Sequence, residues 1–165
     1  MNLKKLTLIS LLAAMTALLT MILHVTIPAT QGYVHFGDSV IYLAVFLIGG
    51  PAGAFVGAVG GAIADLIVAP IYALPTCIIK ALMALLAGYV YVKSGKGVKG
   101  IILSYICGGL VMVGGYYLTE VIILGSFASP VAAIPFNIAQ VIASVPLSCI
   151  LFPVLRKMLP SDMLK

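Results

Sequence analysis

Between residues 6 and 155 the chain carries almost no charge. Apart from a short basic linker at residues 93–99, the only Asp, Glu, Lys or Arg side chains there are Asp38, Asp65, Lys80 and Glu120. Soluble domains make about a quarter of their residues charged. Here the share is 8%, against 63% hydrophobic. A chain of this kind has hydrocarbon as its solvent. Hydrocarbon offers no partner to backbone N–H and C=O groups, so the backbone must satisfy itself within helices.

The apolar runs have helical lengths. Helix 1 is predicted over residues 6–27, long enough to span a bilayer. The basic residues before it resemble the start of a signal peptide, but the run is too long for the apolar core of one, so a membrane helix is expected. A loop follows at 28–37, then a short helix over 39–48. Helix 3 is predicted over 51–68, helix 4 over 74–92, helix 5 over 100–124 and helix 6 over 130–155. Asp38-Ser39 sits where an N-cap belongs, and Pro51 where a first-turn proline is tolerated. Gly53, Gly57 and Gly61 recur at four-residue spacing, the small-xxx-small pattern of close membrane helix packing. The expectation is one all-α membrane domain over 1–165. Cys77, Cys107 and Cys149 lie in apolar runs and have neither disulfide-framework nor metal-ligand spacing.

The short helix 2 constrains the topology. A ten-residue helix rises about 15 Å, half of a hydrocarbon core about 30 Å thick. The basic residues decide the count. Lys4 and Lys5 precede helix 1, Lys93, Lys96 and Lys99 follow helix 4, and Arg156, Lys157 and Lys165 follow helix 6. Loops 28–38, 69–74 and 125–129 contain no Lys or Arg. The positive-inside rule then predicts six transmembrane helices with both termini cytoplasmic. The 28–38 loop completes helix 2 by dipping inward, which is tolerated only where it lines a cavity or is buried in protein.

With that topology, the polar residues fall in the outer half: His24, His35, Asp38, Asp65, Lys80, Tyr116, Tyr117, Glu120, Asn137 and Gln140. Asn137, Gln140 and Ser144 share one helix face. The inner half is Ala, Gly, Leu, Ile and Val. This describes an outward-facing pocket over an apolar plug. The candidate substrate-binding residues are Tyr33, His35, Asp38, Lys80, Tyr116, Glu120, Asn137 and Gln140, with 28–38 as a lid. Each also has a structural reading. Asp38 serves as an N-cap, Asp65 pairs with Lys80, Glu120 hydrates at the surface, and Asn137 and Gln140 bond helices together. Lys80 is the strongest candidate, because a cation at that depth needs an anionic or lone-pair partner from protein or ligand.

The stretch GYVHFGDSVIYLAVFLIGGPAGAFVGAVGGAIADL, residues 32–66, resembles the S component of energy-coupling factor (ECF) vitamin transporters. The likeness is to the branch with a G-x-V-H-x-G-D entry loop, an IGG-P-x-G turn and a glycine-rich third helix. The resemblance implies a bacterial multi-pass cell-membrane protein that takes up a small vitamin or precursor, pyridoxine-like or hydroxymethylpyrimidine first, with pantothenate open. It implies partners: a transmembrane coupling subunit and two ABC-type ATPases, which hydrolyse the ATP, so the chain itself needs no cofactor. It also implies that Ala13 and Ala17 on helix 1 form an external Ala-x-x-x-Ala docking stripe. The alternative for Ala13 and Ala17 is internal packing.

No G-x-x-x-x-G-K-[ST] is present to cradle nucleotide phosphates, and neither H-E-x-x-H nor G-x-S-x-G is present. An enzyme is not expected. The net charge of +5 comes without a basic-aromatic stripe, so nucleic acid is not expected as a partner. The rival reading is an ion-coupled secondary carrier using Asp65, Glu120 or His24.

Overall fold

The computed structural model describes residues 3–30 and 32–164. Lys165, one of the residues behind the topology expectation, lies outside the described residues, as does Gln31 in the lid loop. Helix α1 is Leu3–Ile22, α2 is Asp38–Leu47, α3 is Gly50–Val68, α4 is Ala73–Lys93, α5 is Val98–Leu124 and α6 is Ile134–Met158. Single 3₁₀ turns at Pro70–Tyr72 and Ser129–Ala133 lead into α4 and α6.

Helix α1 ends five residues short of the apolar run. The chain leaves the helix and forms strand β1, His24–Thr26, antiparallel to β2, Tyr33–His35. The register pairs His24 with His35, Val25 with Val34 and Thr26 with Tyr33. The β-branched Val25 and Thr26 suit a strand as well as they suit an apolar run. The Ile27 N–H donates to the Gly32 carbonyl at 2.7 Å, closing the hairpin.

Among the described residues, five helical segments are long and apolar enough to cross a membrane, and α2 is shorter than these. All of its residues are buried, and it packs against α1, α3, α4 and α6. A helix that is apolar all round belongs in a core, and this one forms the centre of the bundle. Its N-cap is Gly37, with no side-chain cap. Asp38 therefore is not an N-cap. It lies in the first turn, and its carboxylate is engaged elsewhere.

The glycines of α3 bring three helices into contact. A β-carbon at Gly60 would stand 2.6 Å from the Ala13 carbonyl oxygen and 2.8 Å from Thr16 Cβ. One at Gly57 would stand 3.1 Å from Lys80 Cβ, and one at Gly61 2.8 Å from Thr76 Cγ2. The first approach seats α1, and the other two seat the polar face of α4. The same packing corrects the docking expectation. Ala13 and Ala17 are buried, at 6% and 5% exposure, which does not fit an exposed docking stripe. Leu11, Ala14, Met15 and Leu18 face outward instead.

The basic residues gather at one end. Lys96 and Arg156 border a cleft with Phe46 and Leu47 at the close of α2, and Lys5 borders another with Ile48 and Pro51. The hairpin covers the opposite end.

Candidate ligand-binding site

Beneath the hairpin lies a small cavity lined by Ile27, Gly32, Tyr33, His35, Asp65, Tyr72, Thr76, Tyr116, Glu120 and Asn137. It draws on the hairpin and on α3, α4, α5 and α6. Its volume is about 20 Å³, room on the order of one water molecule. The hairpin is thus closed on the bundle.

Two latches hold it. The Tyr33 hydroxyl donates to the Asp65 carboxylate. The His35 backbone N–H donates to Gln140 Oε1 at 2.9 Å. Tyr33 also lies edge-on to the His24 ring at 5.2 Å and tilted against His35 at 5.6 Å. A further tie joins the tip of the hairpin to α4: the Tyr72 hydroxyl donates to the Thr30 carbonyl at 2.8 Å.

The His35 ring accepts at Nδ1 from the Gly37 N–H at 3.0 Å and lies 3.2 Å from the Thr20 hydroxyl. Its Nε2 lies 3.4 Å from the Gln140 Nε2.

Below the cavity lies a second layer. Lys80 Nζ donates to Asp38 Oδ1 at 2.6 Å. Gln140 Nε2 donates to Asp38 Oδ2 at 2.7 Å. Both carboxylate oxygens are thereby satisfied, as a buried charge requires. Lys80 Nζ also lies 5.2 Å from the centroid of the Tyr116 ring, within cation–π range. Gln140 spans the two layers, accepting from the hairpin and donating to Asp38.

Of the expected substrate residues, Tyr33, His35, Tyr116, Glu120 and Asn137 line the cavity. Asp38, Lys80 and Gln140 do not. They form the network beneath it. The pairing of Asp65 with Lys80 is overturned, because Asp65 takes Tyr33 and Lys80 takes Asp38. Glu120 is not hydrating at a surface but is 2% exposed. His24 is exposed and accepts no role in the lining. Tyr72, Thr76, Ile27 and Gly32 were not singled out. Tyr72 and Thr76 had a legible signal: i, i+4 steps back from Lys80 reach both, so they share its helix face.

Comparison with known proteins agrees with this architecture. A family model described as "ECF-type riboflavin transporter, S component" matches residues 1–157. An uncharacterised protein of Pyrococcus woesei is 36% identical over 126 residues, 76% of this chain and 84% of that protein. The thiamine precursor transporter HmpT of Lactococcus lactis subsp. cremoris is 32% identical over 158 residues, 94% of this chain and 90% of the transporter. A solved S component of a bacterial ECF transporter superposes with a TM-score of 0.72, covering 94% of this chain and 95% of that one at 25% identity.

Proposed function

Because the chain belongs to the ECF-type riboflavin transporter S-component family, we propose that it captures a small water-soluble vitamin or precursor beneath the β1–β2 hairpin. Hydroxymethylpyrimidine or a pyridoxine-like compound is favoured. The observation that carries this reading is the closed cavity itself. A latched hairpin covers a lining of carboxylate, amide and phenol groups, the sparse set of directed polar contacts that small-molecule sites use. The thiamine precursor relative points to the same ligand chemistry. Closure excludes water and strengthens each polar contact.

In this reading the chain catalyses nothing. A membrane coupling subunit and two ATPases supply the energy, and the chain presents its loaded pocket to them. Six helices cross the membrane, with α2 and the hairpin together filling one crossing. Both termini are cytoplasmic, supported by the basic residues gathered opposite the hairpin. A cysteine at Gly95 should then resist an impermeant reagent in intact cells, and one at Ala29 should react; the reverse pattern overturns the orientation.

The decisive experiment pairs two measurements. Purified protein should bind a vitamin, with hydroxymethylpyrimidine, pyridoxine and riboflavin as the panel, without ATP or an ion gradient. Vesicle uptake should require the coupling subunit and ATPases. Proton-driven accumulation by this chain alone, through Asp65 or Glu120, would establish a secondary carrier instead.

A further inference from the structure

The cavity holds acidic groups without a countercharge. Asp65 and Glu120 both line it and are 3% and 2% exposed. Lys80 is the one Lys or Arg in the interior of the sequence's apolar half-spans, and Asp38 and the Tyr116 ring already engage it below the lining. No Lys or Arg lines the cavity among the described residues.

The two acids differ in one respect. Asp65 accepts the Tyr33 hydroxyl. The Glu120 carboxyl group interacts with the Thr30 and Tyr72 side chains, yet its Oε2 is buried and has no hydrogen-bond partner among the described residues. Buried polar atoms are nearly always paired, so an exception in a cavity wall calls for a partner from outside the chain. Gly32 of the hairpin lies over the same carboxyl group: a β-carbon there would stand 3.2 Å from Glu120 Oε1. Glu120 is therefore sealed when the hairpin closes and uncovered when it lifts. Asn137, Tyr72 and Tyr116 complete its surroundings in the lining, and the Tyr72 and Tyr116 rings lie 6.5 Å apart.

We infer that this cavity, within the binding role proposed above, selects a nitrogen heteroaromatic bearing a ring amino group, read by Glu120, and rejects carboxylate-bearing vitamins. A carboxyl group fits an amino–azine edge in either proton distribution. As the carboxylate it accepts from the amino group and from a protonated ring nitrogen. As the acid it accepts from the amino group and donates to the bare ring nitrogen. Tyrosine rings offer flat faces against which the heterocycle packs. A ligand carboxylate meets the opposite situation: it would bring a further negative charge beside Glu120 and Asp65 with no free cation to take it. Specificity then rests on repulsion as much as on attraction.

The test is calorimetric titration of the purified full chain with three probes. These are hydroxymethylpyrimidine with its ring amino group, the same pyrimidine with a carbonyl oxygen in place of that amino group, and pantothenate. The amino probe should bind at least tenfold more tightly than the carbonyl analogue, and pantothenate should not register. Glu120→Gln should weaken the amino probe at least tenfold while the unliganded thermal midpoint stays level or rises. Should Glu120→Gln fail to fold, Glu120→Asp, which keeps the charge but withdraws it, should show the same loss. Equal affinity for the pyrimidine pair, tight pantothenate binding, or an indifferent Glu120→Gln overturns the inference. In each of those cases ATP-dependent vitamin uptake would leave the S-component reading standing. Absence of both binding and module-dependent uptake across the probes removes both.

Discussion

Lys80 on α4 meets Asp38 in the first turn of α2 at 2.6 Å, and neither side chain reaches solvent. The pair ties the enclosed helix to a membrane-spanning one and stands directly under the candidate ligand cavity. Gln140 on α6 completes it from the other side. The floor of the cavity is therefore a set of interlocked partners rather than a free cation waiting for ligand.

Removing one member should damage the fold before it damages recognition. Lys80→Met leaves Asp38 buried and uncompensated, a loss of about 3–5 kcal/mol for a broken buried pair. Asp38→Asn combined with Lys80→Met should recover much of that loss. Thermal unfolding of the two single variants and the double variant measures the coupling. A Lys80→Met protein as stable as the parent, with only its ligand affinity reduced, would place Lys80 in the binding site instead.

Tyr33→Phe deletes the hydroxyl that latches the hairpin to Asp65. Hydrogen bonds to charged groups contribute about 1.5–3 kcal/mol, so closure should weaken by roughly that amount. Ligand affinity should fall by about tenfold or more, and backbone hydrogen exchange at residues 33–35 should quicken. Unchanged exchange in Tyr33→Phe would show that the His35–Gln140 bond alone holds the hairpin.

Ala13→Trp should lower stability and ligand affinity together. Ala13 is buried in the core, so the larger side chain would overpack it, which typically costs about 1–3 kcal/mol. Ala14→Trp, on the exposed face, should leave both nearly unchanged. Loss of module co-purification in Ala13→Trp with full stability would return Ala13 to the docking surface.

The helices were legible because lipid solvent demands long uncharged runs, and the boundaries of α2, α3, α4 and α5 lie close to the expected ones. The end of α1 was not legible. His24–Thr26 continues the apolar run, and a three-residue strand is visible only through its partner Tyr33–His35. Periodicity within a run contains no information about a partner seven or more residues away. Half of the cavity lining was likewise legible by depth, with Tyr33, His35, Tyr116, Glu120 and Asn137 all anticipated.

By itself the sequence determined that the chain is a helical membrane protein, that its basic residues belong to one end and that its polar residues gather towards the other. These follow from composition and order along the chain, because burying charge in hydrocarbon is costly wherever it occurs. Only the tertiary structure decided that Lys80 belongs to Asp38 rather than to Asp65, that Ala13 is buried in the bundle, and that one Glu120 oxygen has no partner among the described residues. Lys80 and Asp38 are 42 residues apart in sequence. A depth estimate resolves a helical turn, whereas a hydrogen bond is decided over a few tenths of an ångström. It was the inward fold of α2 that brought one carboxylate within that distance and left the others to the hairpin and the cavity.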